Sequence, residues 1–400
     1  MSAAAPAAVG KPVDKAALAK ALGGIPVTKM GTTSGVVLDA RTGAELWTSR
    51  PQTGQIPAST MKLLTCAAAL KVLGPDKTFA TTVVQASPGK IILVGGGDPL
   101  LAAKPAKAYP FPATSQELAR QTAAALKQQG ISKISLGFDE SLFTGPNWHP
   151  SWPQGYHDQV STISPLWIDK GKPDEKSPPS LTPALTSATV FAAQLKAAGI
   201  TVVGAPAKAS ASANARQLAA VQSLPVADLV QETLVHSDNG AAEVLLRHIG
   251  LATGNGASFA GGTKGIQTQL AELKINTASI KISDGSGLSR GNLLPADALA
   301  QVLQRAAATD KLRPLLEGLP SAGVSGTLQS RFYNPEEAAG RGWVNAKTGT
   351  LSKVATLAGY TRTRNGQEVV FAFMANNPTQ EWDVRVWLDR MAATLTGCDC

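Results

Sequence analysis

The hydrophobic and polar positions of the first part of the chain fall into short, regular groups. Residues 33–49 contain an apolar run, the polar turn Ala40–Gly43 and a second apolar run, which predicts two strands joined by a turn. A longer apolar run then begins beside Ser59 and ends at Gly74 and Pro75, two residue types that stop helices. This part of the chain is therefore predicted to be a strand pair followed by a helix.

The rest of the chain alternates between helical and extended patterns. Residues 90–101 predict a strand that ends in a glycine-rich turn, and residues 115–129 predict a helix. Helical patterns dominate from 225 to 343, and a final helix is predicted over 380–395. Three consecutive strands are predicted between these helices, from the runs GWVNAKTGTL, VATLAGYTRT and EVVFAFMANN. This order of elements predicts a chain of the α/β (α+β) class.

Composition and charge narrow the class of protein. The chain has 400 residues, of which 44% are hydrophobic, enough for two domains with cores of their own. No apolar run approaches the ~20 residues of a transmembrane segment, so no transmembrane segment is expected. Peripheral contact with a membrane stays open. Lys and Arg (37) outnumber Asp and Glu (28), which gives a net charge of +9. Because the basic residues are scattered, nucleic acid is not an expected partner.

The cysteines and the N-terminus bear on the compartment. Cys66 lies in an apolar helical run and is expected to be a buried thiol, whereas Cys398 and Cys400 are too close in sequence for an easy disulfide. Residues 1–24 predict a flexible Ala/Pro-rich start that runs into a helix, without the apolar core of a signal peptide. By themselves these features allow a cytosolic protein or an exported protein whose signal peptide has been removed.

Three short motifs carry the candidate chemistry, and their order means more than any one of them alone. The motifs are Ser59-Thr60-Met61-Lys62, Ser237-Asp238-Asn239 and Lys347-Thr348-Gly349-Thr350. The first two patterns recur at 87–90 and 212–214, but the former copy is a Pro-Gly turn and the latter lies in an Ala/Ser-rich linker. Together and in this order, the three motifs indicate a catalytic site rather than three unrelated turns.

The first motif suits nucleophilic catalysis. Positions i and i+3 of a helix share a face, so the Lys62 amine is within reach of the Ser59 hydroxyl. A serine needs a base to accept its proton, and a lysine can serve where burial and nearby cations disfavour its charged form. Free N–H groups at the helix start also stabilise a developing oxyanion. The alternative is that Ser59 only caps the helix and that Lys62 is a solvated side chain.

The other two motifs suit substrate binding. Ser237 and Asn239 lie between two helical runs, where a kinked connection exposes a hydroxyl for proton relay and an amide that can hold a peptide bond. The Lys347–Thr350 motif opens a predicted strand, in which Gly349 lets a ligand approach the backbone closely. The lysine and threonine side chains of this motif suit a carboxylate, and an extended substrate beside the strand would bind by β-addition.

The chain resembles penicillin-binding proteins of the D-alanyl-D-alanine carboxypeptidase/endopeptidase type, the low-molecular-mass class C group. The resemblance covers nearly the whole chain and includes, besides the three motifs, the segments VGGGDPLL, DESLFTGPNW and DGSGLSRGNLL. It implies a serine DD-peptidase that trims peptidoglycan stem peptides ending in D-Ala-D-Ala and cuts D-Ala cross-links through an acyl-enzyme. It also implies that β-lactam antibiotics act as covalent inhibitors. The balance between the two peptidase activities stays open.

The resemblance assigns a role to each motif residue. Ser59 is the acylated nucleophile and Lys62 its base, with assistance from Ser237 and Asn239. The N–H groups of Ser59 and Thr350 form the oxyanion hole. The substrate-binding residues are Lys347, Thr348, Gly349 and Thr350. The resemblance implies no cofactor and no metal.

The resemblance also implies a penicillin-binding and β-lactamase-like transpeptidase fold, an antiparallel sheet flanked by helices. Residues 1–82 and 217–400 are expected to form the catalytic domain, and residues 83–216 an inserted, smaller, β-containing accessory domain without a catalytic side chain. Members of this group are exported to the periplasmic or cell-wall compartment. We therefore expect an exported protein whose signal peptide has been trimmed.

Other classes of protein fit the sequence less well. A Gly-x-Ser-x-Gly pattern occurs at Gly287–Gly291, but the order of an esterase triad needs a later histidine, and none follows His248. The four histidines are scattered, without the spacing of a metal hydrolase. A non-catalytic peptidoglycan-binding scaffold of the same fold, and a β-lactamase-like or esterase-like serine hydrolase, stay open as alternatives.

Overall fold

The structure, a computed structural model, describes residues 11–172 and 177–400. Its strands, in chain order, are β1 (Thr32–Asp39), β2 (Glu45–Ser49), β3 (Ala80–Ser87), β4 (Lys90–Val94), β5 (Lys133–Asp139), β6 (Thr201–Val202), β7 (Ala207–Lys208), β8 (Arg216–Gln222), β9 (Asn345–Leu351), β10 (Val354–Arg362) and β11 (Glu368–Asn376). Its α-helices are α1 (Lys15–Gly23), α2 (Met61–Leu73), α3 (Ser115–Gln128), α4 (Pro183–Ala197), α5 (Val226–Val235), α6 (Asn239–Ala252), α7 (Phe259–Glu272), α8 (Ala296–Ala307), α9 (Pro314–Glu317) and α10 (Glu381–Gly397).

The chain divides into two compact units, each assembled from separate stretches of sequence. The first unit contains the described part of Met1–Lys71 together with Val230–Asp238 and Ile266–Cys400. The second unit contains the described part of Val72–Leu229 together with Asn239–Gly265. Both units combine stretches that are far apart in sequence, so neither unit corresponds to one continuous segment.

The first unit is built on an antiparallel sheet with the strand order β2-β1-β11-β10-β9. On one face, Phe371 and Phe373 of β11 pack in a core cluster with Trp387 and Leu388 of α10. Helix α8 also contacts β1 and β11. Val370, which directly precedes Phe371 and so belongs to the opposite face of β11, is fully buried as well. Because both faces are covered, strand β11 is apolar along nearly its whole length rather than alternating.

The second unit contains a mixed sheet with the strand order β6-β5-β4-β3-β8, and β7 lies beside β5. Strand β3 runs antiparallel to both of its neighbours, whereas β4 and β5 are parallel. Leu118 of α3 and Phe191 of α4 lie in one core cluster with Ile91 and Leu136 of the sheet. This unit therefore has a hydrophobic core of its own.

Most of the predicted elements are confirmed. The strand pair of 33–49, the helix that ends before Gly74, the three consecutive strands near the C-terminus and the final helix all occur. The expectation of an antiparallel sheet flanked by helices is also confirmed. Helix α4 was not predicted. Of the predicted flexible start within 1–24, residues 1–10 lie outside the described residues, and the helix into which it was expected to run is α1.

The domain limits at residues 83 and 216 remain a prediction. In the structure, both limits lie within strands of the second sheet. Strand β3 begins at Ala80, before the expected limit at residue 83, and β8 ends at Gln222, after the expected limit at residue 216. The two strands pair along their length. A cut at 83 and 216 would therefore divide two paired strands.

The expectation that Cys398 and Cys400 do not form an easy disulfide is wrong, because a disulfide joins them. Helix α10 ends at Gly397, and the chain then bends so that the two Cα atoms lie 5.2 Å apart. That separation is within the usual range for a disulfide. Cys66 is a buried free thiol, as expected. Within the described part of the chain, no helix combines the length and the hydropathy that a bilayer crossing needs.

Candidate active site

Ser59 lies in a 3₁₀ turn, Ala58–Thr60, directly before α2. Ala58 has a φ of 47°, in the left-handed region that residues with a side chain seldom adopt. Two hydroxyls hold the turn, because Thr60 Oγ1 and Thr356 Oγ1 both donate to the Pro57 carbonyl, at 2.7 and 2.8 Å. Since Thr356 belongs to β10, the turn that carries Ser59 is fixed to the sheet of the first unit.

Lys62 lies one helical turn after Ser59, on the same face of the chain. Its Nζ is 3.0 Å from the Ser59 Oγ and 2.8 Å from the Ser286 carbonyl oxygen. The side chain is fully buried, so the interpretation of Lys62 as a solvated surface residue is wrong. Burial disfavours the charged form of an amine, which is the condition for a lysine to act as a base.

Lys347 of β9 is a second fully buried lysine in the same unit. Its Nζ donates to the Ser237 Oγ and to the Thr348 carbonyl, each at 2.9 Å. Burial, and next the positive charge of Lys62, hold the pKa of Lys347 well below its ordinary value. The structure therefore brings residues of the three motifs together, with the Lys62 and Lys347 amines close enough to influence each other electrostatically.

Ser237 lies in the short connection that follows α5, where its φ of 54° marks a sharp change of chain direction. The predicted kinked connection between two helices is therefore confirmed. Asn239 begins α6 and belongs to the second unit. Its Nδ2 donates to the Gln159 carbonyl at 3.0 Å, also within the second unit. Sequence patterns gave no indication of Gln159.

Among the described residues, β9 is the last strand of its sheet, and a bridge joins its first residue, Asn345, to Ser321. Lys347 and Gly349 are buried, whereas the Thr350 side chain is exposed. Thr348 donates through its hydroxyl to Thr327 Oγ1 at 2.8 Å. An exposed edge that carries hydroxyl side chains suits an extended, anionic ligand.

Gly349 is the point at which β9 meets the turn of Ser59. A Cβ at this position would lie 2.6 Å from the Pro57 carbonyl oxygen and 3.1 Å from the Ser59 nitrogen, and would also overlap the Thr356 hydroxyl. A side chain would therefore push the strand away from Ser59. The glycine therefore allows the backbone of β9 to lie against the N–H of Ser59.

The structure adds a feature that the motifs did not predict, which is the loop at 284–292. Its Ser286 carbonyl contacts Lys62, and its Ser289 is fully buried, with a hydroxyl that accepts from the Gly291 N–H at 3.1 Å. Ser289 is the serine of the Gly-x-Ser-x-Gly pattern. A buried serine differs from the exposed nucleophile that an esterase needs. The only earlier signal for this loop was the DGSGLSRGNLL segment.

Comparisons with known proteins place the chain in a family. The sequence pattern of the D-Ala-D-Ala carboxypeptidase 3 (S13) family matches residues 15–181 and 168–396. The chain is 36% identical to a carboxypeptidase of Mycobacterium tuberculosis, over 93% of this chain and 81% of that protein. It is 28% identical to a D-alanyl-D-alanine carboxypeptidase of an Actinomadura species, over 86% of this chain and 78% of that protein.

A solved structure shares the fold. Penicillin-binding protein 4 of Haemophilus influenzae is similar to the chain with a TM-score of 0.75 and 22% identity, over 95% of this chain and 98% of that one. That protein has also been solved in complex with a novel β-lactam. The matched family pattern spans nearly all of the described residues. The chain therefore belongs to the D-Ala-D-Ala carboxypeptidase 3 (S13) family of peptidases.

Proposed function

We propose that the protein is a serine DD-peptidase that removes the terminal residue of peptidoglycan stem peptides ending in D-Ala-D-Ala, through an acyl-enzyme on Ser59. The observation that carries this proposal is the 3.0 Å contact between the Ser59 Oγ and the buried Lys62 Nζ. Family membership supplies the reaction class. The contact supplies a nucleophile with a base beside it.

In the acylation step, the Ser59 hydroxyl gives its proton to the Lys62 amine, and Oγ forms a bond to the carbonyl carbon of the penultimate D-alanine. The carbonyl electron pair moves to its oxygen, which the N–H groups of Ser59 and Thr350 stabilise. When the carbonyl re-forms, the C–N bond breaks and terminal D-alanine leaves with the proton, relayed through Ser237. Water then cleaves the ester with the same groups acting in reverse.

The free carboxylate of the substrate is bound in this proposal by Lys347 together with the hydroxyls of Thr348 and Thr350. Burial weakens the hold of Lys347 on its proton in the absence of a ligand. An entering carboxylate favours the charged amine, because opposite charges a few ångströms apart stabilise each other. Asn239 is proposed to hold the peptide bond of the substrate through its side-chain amide.

We further propose that the protein cuts D-Ala cross-links as an endopeptidase, that β-lactams acylate Ser59, and that the protein works outside the cytoplasmic membrane. The exposed edge of β9 supports the first of these, since an extended peptide can continue along it. The β-lactam complex of the Haemophilus influenzae protein supports the second. The third follows from the location of peptidoglycan.

The test is the intact mass of the protein after incubation with benzylpenicillin. We expect one covalent adduct, which peptide mapping places on Ser59, and no adduct in Ser59→Ala. Lys62→Ala should fold but acylate too slowly to detect. An adduct in Ser59→Ala would refute the assignment of the nucleophile. A folded wild-type protein that forms no adduct and releases no D-alanine from a D-Ala-D-Ala peptide would instead favour a non-catalytic peptidoglycan-binding scaffold.

A further inference from the structure

The loop Asp284–Asn292, here called the aspartate loop, is folded around a buried carboxylate. Asp284 is fully buried. Its Oδ1 accepts from the Gly287 N–H at 2.8 Å and from the Asn292 Nδ2 at 2.7 Å, and its Oδ2 accepts from the Ser289 N–H at 2.6 Å. Both carboxylate oxygens thus bind the loop itself. Three short hydrogen bonds to one side chain hold the backbone between 285 and 289 in one conformation.

The aspartate loop binds the catalytic helix at two points. The Ser286 carbonyl accepts from the Lys62 Nζ at 2.8 Å, and the neighbouring Gly285 carbonyl accepts from the Thr65 Oγ1 at 2.7 Å. Lys62 and Thr65 are one turn apart on α2 and are both fully buried. Two consecutive carbonyls of the loop therefore face two consecutive turns of the helix.

The aspartate loop also supports the turn that carries the nucleophile. A Cβ on Gly287 would lie 3.0 Å from the Met61 Cβ and would overlap the Ala58 carbonyl oxygen. Gly287 has a φ of 88°, which is favourable only for glycine. The loop is therefore in close contact with Ala58, the residue before Ser59, and with Lys62 after it.

We propose that Asp284 is a positioning residue for Lys62, acting through the Ser286 carbonyl. A neutral amine has two N–H donors and one lone pair. When one N–H donates to a carbonyl, the direction of the lone pair is fixed. With the Ser286 oxygen at 2.8 Å on one side and the Ser59 Oγ at 3.0 Å on another, the amine is oriented to receive the serine proton. This inference rests on the proposed acyl-enzyme mechanism.

A second part of the loop supports the same arrangement. The Asn292 Oδ1 accepts from the Ser283 N–H at 2.8 Å, while its Nδ2 donates to Asp284. Asn292 thus closes the loop from its far end. An asparagine in place of Asp284 would keep the shape of the side chain but would leave at least one of these buried donors without an acceptor, so Ser286 would lose its fixed direction.

The test compares Asp284→Asn with the matched control Asp139→Asn. Asp139 is also buried and accepts from two backbone N–H groups, those of Ser141 and Ala211, at 2.8 and 2.7 Å, in the second unit. We expect Asp284→Asn to lower the acylation rate constant at saturating benzylpenicillin by about a hundredfold, the size of effect that a small misplacement of a reacting group produces. The dissociation constant of the non-covalent complex should not change. Asp139→Asn should acylate at the wild-type rate.

A second variant keeps the proposal testable if Asp284→Asn does not fold. Thr65→Val removes the other hydrogen bond between α2 and the loop at nearly constant volume. We expect it to lower the acylation rate constant about tenfold, again without a change in the dissociation constant.

Wild-type acylation in folded Asp284→Asn, or in Thr65→Val when only that variant folds, would overturn the inference. A rate loss in Asp139→Asn equal to that in Asp284→Asn would also overturn it, because the effect would then reflect stability alone. Failure of the proposed function is a separate outcome, since the wild-type protein would then form no adduct on Ser59.

Discussion

At the scale of single residues, burial sets the chemistry of several ionisable groups. Lys347 is fully buried in the first unit, and burial holds its pKa well below the ordinary value. His248 of the second unit is buried as well, stacked on Phe79 with ring centroids 3.6 Å apart and with its Nε2 2.9 Å from the Gly97 carbonyl. Lys347 and His248 therefore have lower pKa values in the folded protein than in the unfolded chain.

His248 should make the protein less stable in acid. Burial lowers its pKa from 6.5 to about 4. Between these values the unfolded chain binds the proton and the folded protein does not. The free energy of unfolding therefore falls as the pH drops from 6.5 to 4 and no further below 4, by about 3 kcal/mol in total.

The measurement is denaturant unfolding of the wild type and of His248→Gln, which can keep a donor near Gly97, at pH 7 and at pH 4. On acidification from pH 7 to pH 4, the free energy of unfolding of the wild type should fall by about 3 kcal/mol more than that of the variant. The buried carboxyl of Asp98, whose pKa burial raises to about 7, titrates in both proteins and cancels in the comparison. A difference that does not depend on pH would contradict the prediction.

At the scale of elements, the site depends on how closely strand β9 approaches the 3₁₀ turn of Ser59. Gly349 permits this approach, and the hydroxyls of Thr60 and Thr356 fix the turn through the Pro57 carbonyl. The strained backbone at Ala58 is held by the same contacts. The position of the Ser59 N–H therefore depends on both elements.

Gly349→Ala should therefore reduce acylation by about a hundredfold, because the added methyl group displaces β9 from the oxyanion position. The measurement is the rate of benzylpenicillin adduct formation by mass spectrometry. The control is Gly23→Ala in α1, where a Cβ meets no atom within 4 Å. If a folded Gly349→Ala protein formed the adduct at the rate of the Gly23→Ala control, the strand would not contribute to the oxyanion hole.

Elements that bury a whole stretch of apolar residues were predictable, as β11 and α2 illustrate. The partners of the motif residues were not predictable, because no local pattern says which distant carbonyl a side chain such as Lys62 or Asn239 will meet. The Ser286 carbonyl reaches Lys62 across 224 positions of sequence, and the Gln159 carbonyl reaches Asn239 across 80. The disulfide was missed because sequence separation alone does not give the bend of the chain after α10.

At the scale of the whole molecule, net charge is the property that would govern attraction to an anionic polymer such as those of a cell wall. Lys and Arg exceed Asp and Glu by 37 to 28, which gives a net charge of +9 and a sequence pI of about 9.4. The basic residues are spread along the chain rather than clustered. A distributed positive charge attracts an anionic polymer without specifying one binding site.

Binding of the protein to insoluble cell wall should weaken as salt rises from about 0.1 to about 1 M, since the screening length falls from about 10 to about 3 Å. Cosedimentation with wall material measures this binding. Wall stripped of its anionic polymers is the control and should show weaker binding with little dependence on salt. Equal salt dependence for both materials would argue against attraction by the anionic polymers.

The state of the cysteines has a practical consequence. The chain has three cysteines; Cys398 and Cys400 are joined, and burial raises the pKa of the Cys66 thiol to about 12. Maleimide dyes attack accessible thiolates, so the native protein offers them none. A cysteine introduced at the exposed Ser352, in the turn between β9 and β10, would accept a single dye. If a β-lactam acylates Ser59 as proposed, the emission of that dye should change when the ligand enters beside β9, and the labelled protein would then serve as an optical β-lactam sensor.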